Sequence, residues 1–235
     1  MRAEERKVAY VSDVPSSDSD EARRVPNPTV ERLSVYARVL ASFGQDEGVT
    51  TSSNVLAKRT GFSAAQIRRD LAVFGQFGMR GRGYDIASLR ARLDEILGVH
   101  IPRRVALVGA GNLGLALMGY TGFREHNFDI VAAFDVAPGR VGAKAPGGVP
   151  IHHLDDLPHV ASAERVEIAV LAVPVAAAQA TLDAVARAGI QAVLNFAPKR
   201  LEPPAGVRLR NVDLSVELEA LSFYLAHESD TAADR

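Results

Sequence analysis

The segment VALVGAGNLG at residues 105–114, followed by Asp135, decides the fold of this 235-residue chain. A short apolar strand leads into a glycine-rich turn that opens a helix, and the acidic residue ends the next apolar run 21 positions after the last glycine. Gly109 suits the tight turn, Gly111 lets backbone amides approach a pyrophosphate, and Gly114 lets the helix pack on the strand. This spacing predicts a Rossmann-type dinucleotide-binding domain.

Six turn residues are predicted to hold the cofactor: Gly109, Ala110, Gly111, Asn112, Leu113 and Gly114. We expect Asp135 to accept hydrogen bonds from both ribose hydroxyls of the adenosine. A carboxylate at this place repels a 2′-phosphate, so the pattern favours NAD(H) over NADP(H). The alternative is a set of turn glycines in an α/β domain that binds no ligand.

Short apolar runs on the carboxyl side of this segment extend the pattern. Residues 130–134, 168–173 and 192–196 are continuous and rich in β-branched side chains, which is typical of strands buried on both faces. The alanine-rich residues 175–188 have the length of a crossover helix. We therefore expect an α/β fold in which residues 101–212 form a doubly wound parallel sheet.

Residues 26–100 have a different pattern, in which apolar side chains recur at helical spacing. One helix is expected to start near Ser53 and another at Ser63, with Gly61 in the short turn between them. This arrangement indicates a helix-turn-helix. The glycine-rich residues 79–84 predict a wing after these helices, so this segment is interpreted as a winged-helix DNA-binding domain.

The helix that starts at Ser63 carries side chains predicted to read DNA. Its apolar face is formed by Ile67, Leu71 and Phe74, so its polar side chains point away from the core. Glutamine and arginine pair with adenine and guanine edges, serine hydroxyls contact phosphates, and arginines on a wing enter the minor groove. The predicted DNA-binding residues are Ser52, Ser53, Ser63, Gln66, Arg68, Arg69, Arg80 and Arg82. The alternative is a solvated, charged helix face.

The start of this helix has the form of a capping box. Ser63 and Gln66 are spaced so that each side chain can bond the backbone amide of the other residue.

The charge balance differs between the two segments of the chain. Residues 26–100 hold ten Lys/Arg against seven Asp/Glu, whereas residues 101–235 hold twelve against fifteen. The positive balance of the first segment agrees with nucleic-acid binding.

Composition narrows the remaining possibilities. The chain has no cysteine, which excludes disulfides, thiolate metal sites and thiol-based redox sensing. The histidines form no acid–base pair typical of a dehydrogenase, and His152-His153 are interpreted as surface residues, so no catalytic or metal site is predicted. No apolar run spans a bilayer and residues 1–25 lack a signal sequence, which predicts a cytoplasmic protein. Residues 1–25 end in a polar stretch without hydrophobic period, which predicts a disordered tail.

Residues 213–235 are predicted to form a terminal helix and a tail. Residues 214–226 are rich in large apolar side chains and also include Glu217 and Glu219. We expect so apolar a helix to pack either on its own domain or on a second chain.

Several further motifs occur in one order along residues 26–226. They are QIRRDL at 66–71, Phe74-Gly75, RGRGY at 80–84, the glycine turn, Tyr120-x-Gly-Phe123, Phe134-Asp135, Val173-Pro174, NFAP at 195–198 and Asn211-Val-Asp213. With these motifs the chain resembles the Rex family of redox-sensing transcriptional repressors.

This resemblance implies a homodimer in which the final helix of each subunit is swapped onto the other, so that each nicotinamide lies near the dimer seam. It also implies a switch formed by Arg38, Tyr120 and Asp213, in which Asp213 pairs with Arg38 in one state and with Tyr120 in the other. Leu214 stands where a phenylalanine is often found in the family, which puts aromatic contact with the nicotinamide in question.

The nicotinamide pocket expected from the resemblance is largely apolar, with Phe123, Pro174, Phe196 and Pro198 as its walls and Tyr120 nearby. Burying a charge costs free energy, so this pocket favours the uncharged ring of NADH over the positive ring of NAD⁺. NADH would shift the population toward a closed dimer whose recognition helices no longer match a palindromic operator. The implied function is a repressor that binds operator DNA when free or NAD⁺-bound and is released by NADH.

Two other functions compete with this one. An NAD-dependent oxidoreductase could use the basic amino-terminal segment for dimerisation alone. A coenzyme A-binding domain is the other alternative, because the segments around Val173-Pro174 and Asn195 resemble succinyl-CoA synthetase α-subunits. Asp135, placed for a free ribose, argues against coenzyme A.

Overall fold

The computed structural model describes residues 26–44, 49–78 and 82–232, with side chains up to residue 227. Contacts divide the chain into two compact units whose boundary lies between Gly98 and Val99. The predicted tail at residues 1–25 and the wing residue Arg80 lie outside the described residues.

The first unit is mainly helical. Its described elements are α1 (Asn27–Ala41), β1 (Thr50–Thr51), α2 (Ser53–Thr60), α3 (Ala64–Ala72), β2 (Tyr84–Asp85) and α4 (Ile86–Leu97). The helices form because their apolar residues recur at spacings of three and four and so share one face. That face is buried in one cluster, which contains Leu33, Tyr36, Ala37, Leu40, Leu56, Ile67, Leu71, Leu89 and Leu93.

Side-chain caps set the ends of α2 and α3. The Ser52 hydroxyl accepts a hydrogen bond from the Val55 amide at 3.2 Å, and Gly61, with φ of 76°, ends α2 in the left-handed conformation. The Ser63 hydroxyl accepts from the Gln66 amide at 3.1 Å, as the capping box predicts. The second half of that prediction is wrong, because the Gln66 side chain bonds Asp70 and not the Ser63 amide.

A short ribbon pairs the segment before α2 with the segment after α3. The strands β1 and β2 pair antiparallel, with Thr51 opposite Tyr84. Gly83 precedes β2 with φ of 79°, and a Cβ at this position would collide with the Thr51 carbonyl. Of the predicted wing, the structure describes the part from Arg82 onward. This part leads into β2, which runs antiparallel to β1.

The second unit alternates strands and helices. Its elements are β3 (Arg103–Val108), α5 (Asn112–Met118), α6 (Gly122–Glu125), β4 (Phe128–Asp135), β5 (Ile151–His153), α7 (Leu157–Ala163), β6 (Ile168–Leu171), α8 (Ala178–Arg187), β7 (Ala192–Asn195), β8 (Arg208–Asn211) and α9 (Leu214–Ala232). The sheet has the order β5-β4-β3-β6-β7-β8, and every pairing is parallel. The predicted doubly wound sheet is confirmed, and the strand order reverses between β3 and β6.

Both faces of this sheet are apolar. Ala106 and Val108 of β3 face a cluster completed by side chains of α7 and α8. Val105 and Leu107, which alternate with them, face the opposite side, where Leu117 of α5 packs. Alternating side chains are thus buried on either face, which explains why the strand sequences are continuous apolar runs.

Helix α9 is unlike the rest of the second unit. Seven of its large apolar side chains are more than half exposed: Leu214, Val216, Leu218, Leu221, Phe223, Tyr224 and Leu225. Exposure on several sides of one helix exceeds what an isolated surface helix carries. In the part of the chain that the structure describes, no helix is long and apolar enough to cross a membrane.

Helix α5 packs on β3 at very short range, and we expect this contact to limit the stability of the second unit. A Cβ at Gly114 would collide with the Gly109 carbonyl and press on Leu107, whereas a Cβ at Gly111 meets nothing within 4 Å. Gly114→Ala should lower the free energy of unfolding by about 1–3 kcal/mol through overpacking. Gly111→Ala is the matched control and should leave the unfolding temperature nearly unchanged in calorimetry. Equal unfolding temperatures for the two variants would contradict this account.

Candidate functional site

A crevice opens where the strand order reverses. Gly109 directly follows β3 with φ of 101°, and its backbone lies so close to Ala172 after β6 that no Cβ fits. A cavity of about 470 Å³ begins here and is lined by Gly109, Gly111, Asp135 and Pro174, among others. Ligands of doubly wound sheets bind at such a switch point, outside the carboxyl ends of the strands. The structure therefore brings four of the predicted cofactor residues to one cleft.

Asp135 lies at the inner wall of this cleft and is 7% exposed. Its carboxylate accepts hydrogen bonds from the amides of Ala110 and Ala137, each at 2.8 Å, and from Arg140 Nη1 at 3.1 Å. Burial alone would raise the pKa of Asp135, but the hydrogen bonds from Ala137, Arg140 and Ala110 outweigh it and hold the pKa below its ordinary value. The cleft thus contains an ionised carboxylate.

Arg140 is a cleft residue that the sequence interpretation missed. It follows Asp135 by five positions in an irregular segment, and its side chain is about half exposed beside that carboxylate. A signal was present, because basic groups close to the acidic residue of a dinucleotide fold are candidates to meet a 2′-phosphate.

Four residues predicted to lie near the nicotinamide do not line this cleft, although Pro174 does. Tyr120 and Phe123 line a second cavity of about 550 Å³, where their rings meet edge-on at 5.3 Å. Phe196 packs in the apolar cluster beneath α5, and Pro198 is exposed. Neither cavity gathers Phe123, Pro174, Phe196 and Pro198 together, so their common nicotinamide pocket stays a prediction.

The three predicted switch residues have separate surroundings. Arg38 is exposed on α1, in the first unit. Asp213 precedes α9 in the second unit, where its Oδ1 accepts a hydrogen bond from the Ser215 amide at 3.0 Å. Tyr120 is 60% exposed. Their exchange of partners stays a prediction.

Two predicted DNA-binding residues bond each other on the first unit. Arg68 of α3 donates a hydrogen bond to the Ser53 hydroxyl at 2.8 Å, and Ser53 is buried. Ser52 and Ser63 serve as helix caps, and Arg82 is exposed in the turn before β2. Arg68, Ser52 and Ser53 also border one groove between α3 and the ribbon.

An ionic cluster behind the outer face of α3 was not predicted. Asp70 is 3% exposed and accepts hydrogen bonds from Arg32 Nε and Nη2 at 2.6 and 2.7 Å, from the Tyr36 hydroxyl at 2.8 Å and from Gln66 Nε2 at 2.8 Å. Burial alone would raise the pKa of Asp70, but the hydrogen bonds from Arg32, Tyr36 and Gln66 outweigh it and lower the pKa. The hydrogen bond to Asp70 raises the pKa of Arg32, so the pair is ionised.

Asn195, at the end of β7, is a second buried polar residue with a structural role. Its Oδ1 accepts from the Ala197 amide at 3.0 Å, and its Nδ2 donates to the Ala197 carbonyl and to Asn211 Oδ1, both at 2.9 Å. The amide therefore holds the turn after β7 against the end of β8. Side-chain pairing of this kind satisfies polar groups that burial would otherwise penalise.

The histidine pair on β5 has two different environments. The His152 ring lies 5.8 Å from the Phe134 ring, so it is half-buried and not simply a surface group. His153 Nδ1 accepts from the Asp155 amide at 3.3 Å. Among the described residues, no group of three His, Cys, Asp or Glu side chains could hold a metal ion.

Two protein-family models match this chain. The model described as "CoA binding domain" matches residues 100–199, and the one described as "Putative DNA-binding protein N-terminus" matches residues 24–72. The two matches fall on different units of the fold.

Proteins named redox-sensing transcriptional repressor Rex are similar to nearly the whole chain. The Rex of Pelotomaculum thermopropionicum is 44% identical over 211 residues, which cover 90% of this chain and 99% of that protein. The Rex of Desulfitobacterium hafniense is 46% identical over 200 residues, 85% of this chain and 95% of that protein. The Rex of Streptomyces coelicolor is 39% identical over 215 residues, with coverages of 91% and 83%.

Crystal structures of RSP, described as a Rex-family repressor, have the same architecture. RSP with β-NAD⁺ and operator DNA is 34% identical, with a TM-score of 0.81 and coverage of 89% of this chain and 96% of that one. RSP with β-NADH is 32% identical, with a TM-score of 0.79 and coverages of 90% and 99%.

A winged helix-turn-helix unit followed by a doubly wound domain with a dinucleotide crevice defines a two-domain DNA-binding regulator. The similarity spans both units and nearly the full length of the relatives. The chain belongs to the Rex family of redox-sensing transcriptional repressors.

We expect the Asp70 cluster to make the stability of the first unit fall as the pH is lowered. The folded pKa of Asp70 lies below its unfolded value, so its contribution is complete above about pH 4 and is lost as the pH falls toward the folded pKa. Asp70→Asn should lower the free energy of unfolding at pH 7 by about 1–3 kcal/mol and flatten this acid dependence. Urea unfolding between pH 3 and pH 7, followed by circular dichroism, measures both effects. A variant as acid-sensitive as the wild type would contradict the assignment.

Proposed function

We propose that this chain represses transcription by binding a palindromic operator as a homodimer when it is free or bound to NAD⁺, and that NADH releases it. The observation that carries this proposal is the similarity of nearly the whole chain to RSP, a repressor whose crystal structures hold β-NAD⁺ with operator DNA in one case and β-NADH in another. Further support comes from the second helix of a helix-turn-helix, α3, and from a crevice with an ionised carboxylate.

The cofactor is NAD(H), bound with its adenosine ribose at Asp135 and its pyrophosphate at the turn from Gly109 to Gly114. Support comes from the 470 Å³ cleft that holds Asp135 and the turn, and from the open space around Gly111, where a backbone can be approached closely. The reduced ring is uncharged, so an apolar pocket formed by Phe123, Pro174, Phe196 and Pro198 binds it with a smaller desolvation cost than the oxidised ring.

Dimer formation through α9 completes this mechanism. Seven large apolar side chains on α9 are more than half exposed within a single chain, which is far more than a soluble monomer usually presents on one helix. Packing α9 on a second copy buries this surface and creates the two-fold symmetry that a palindromic operator requires.

The switch rests on the partner that Asp213 selects. Asp213 bonds the Ser215 amide through Oδ1, so a pairing with Arg38 or with the exposed Tyr120 hydroxyl would act directly on the start of α9. NADH can shift the equilibrium between the two dimer states only by the difference in its affinity for them. In this proposal the second unit acts as a sensor in the cytoplasm. It transfers no hydride and binds no metal.

NADH should control operator binding by the purified protein. We expect mobility-shift titrations with a palindromic promoter fragment to show a complex that micromolar NADH dissolves and that NAD⁺ leaves intact. Coenzyme A is the control ligand, because one matching family model carries its name and its adenosine ribose bears a 3′-phosphate, which leaves no free pair of ribose hydroxyls for Asp135 to bind. DNA binding that NADH does not change would contradict the sensor proposal. NADH oxidation that depends on an added substrate would favour the oxidoreductase alternative.

Asp135 and Arg140 should together set the choice between NADH and NADPH. Asp135→Ser removes the carboxylate that repels a 2′-phosphate and frees Arg140, which lies 3.1 Å from it, to pair with that phosphate. We expect this variant to lose about tenfold or more in NADH affinity, to gain in NADPH affinity and to bind operator DNA as the wild type does. The matched control is Asp135→Ser with Arg140→Ala, which should lose the NADPH gain in a fluorescence titration. A gain that survives in the double variant would refute the role of Arg140.

A further inference from the structure

We propose that Asp70, a buried residue that cannot touch DNA, is a positioning residue that orients the Gln66 amide to recognise an adenine. This inference rests on the proposed function, because it concerns how the same recognition helix reads its operator. The proposal adds Asp70, which lies behind the predicted DNA-binding surface, to the residues expected on that surface.

The two ends of the Gln66 amide are held by partners of opposite kind. Gln66 Nε2 donates to Asp70 Oδ1 at 2.8 Å, and Gln66 Oε1 accepts from Arg69 Nη2 at 2.9 Å. An ionised carboxylate can only accept hydrogen bonds and a guanidinium can only donate them. A flipped amide would therefore lose both bonds, so the chemistry of its neighbours settles its orientation.

Asp70 itself has little freedom to move. Arg32 binds both of its oxygens, and the Tyr36 hydroxyl binds one of them, so α1 holds the carboxylate from behind. The side chain is 4% exposed, whereas Gln66 is half-buried and Arg69 is exposed. The rigid residue is thus the buried one, and it transmits its position to a side chain that solvent, or DNA, can reach.

The hydrogen-bonding groups that remain on Gln66 match one base. Glutamine has two N–H donors and two carbonyl lone pairs, and one of each is used by Asp70 and Arg69. One donor and one acceptor are what the N7 and N6 groups of adenine require in the major groove. The geometry therefore offers an adenine-reading amide that is oriented before DNA binds.

The presence of an ion pair at this place also needs an explanation beyond stability. A buried pair is often no more stabilising than apolar residues of similar size, whereas polar groups inside a protein can specify one arrangement. Here the arrangement specified is the orientation of the half-buried Gln66 amide on α3.

The test compares base discrimination by variants of the full-length protein. A duplex is first selected by the wild type from a randomised pool, and each base pair is then replaced symmetrically in both half-sites. We expect one adenine position where replacement costs the wild type about tenfold or more in affinity. Replacing this adenine with 7-deazaadenine, which lacks N7, should cause a similar loss. Asp70→Asn should reduce discrimination at that position to about threefold or less while leaving the other positions unchanged.

Tyr36→Phe is the matched control, because it removes a different hydrogen bond to Asp70 and leaves the Gln66 contact in place. It should lower stability without changing the discrimination profile. In a Gln66→Ala background, Asp70→Asn should have no further effect on discrimination. Should Asp70→Asn fail to fold, the double change Arg32→Met and Asp70→Asn removes both charges and serves the same purpose.

The outcomes separate the two proposals. If the wild type selects no sequence from the pool, the proposed function fails. If it selects a sequence but Asp70→Asn weakens binding equally at every position, or Tyr36→Phe relaxes the same position, Asp70 supports only the fold and the inference is overturned.

Discussion

The turn after β3 depends on backbone atoms that approach one another more closely than any side chain permits. Gly109 lies against Ala172 at the end of β6, and Gly114 lies against Gly109, so α5 begins directly above the point where the strand order reverses. The crevice exists because these contacts leave room beside them for Asp135 and the open backbone at Gly111. Cofactor binding by the second unit, as proposed, depends on this close approach.

Sequence patterns predicted the elements that bury continuous apolar surface. The strands β3, β4, β6 and β7 are long or apolar enough to stand out, and α8 follows from its alanine-rich pattern. The strands β5 and β8 were missed because the first has three residues and the second, RLRN, is a polar edge strand whose pairing decides its structure. Their positions come from tertiary contacts that no local periodicity records.

The sites were predictable to different degrees for a related reason. Asp135 follows from spacing alone, because the acidic residue belongs to the same βαβ unit as the glycine turn. Asp70 does not, since its main partner Arg32 is 38 residues away and its helical face otherwise carries the apolar Ile67 and Leu71. Phe123, Phe196 and Pro198 depend on a resemblance, and neither of the two cavities described in the second unit brings them together.

If α9 packs on a second chain as proposed, the protein concentration itself affects stability. Apolar area that is buried only on assembly contributes to stability through mass action. Dilution therefore lowers the free energy of unfolding, and a higher concentration of the protein raises it. A repressor of this kind, if made at a few copies per cell, would spend part of its time as separate subunits. Its abundance would then tune the response before any nucleotide binds.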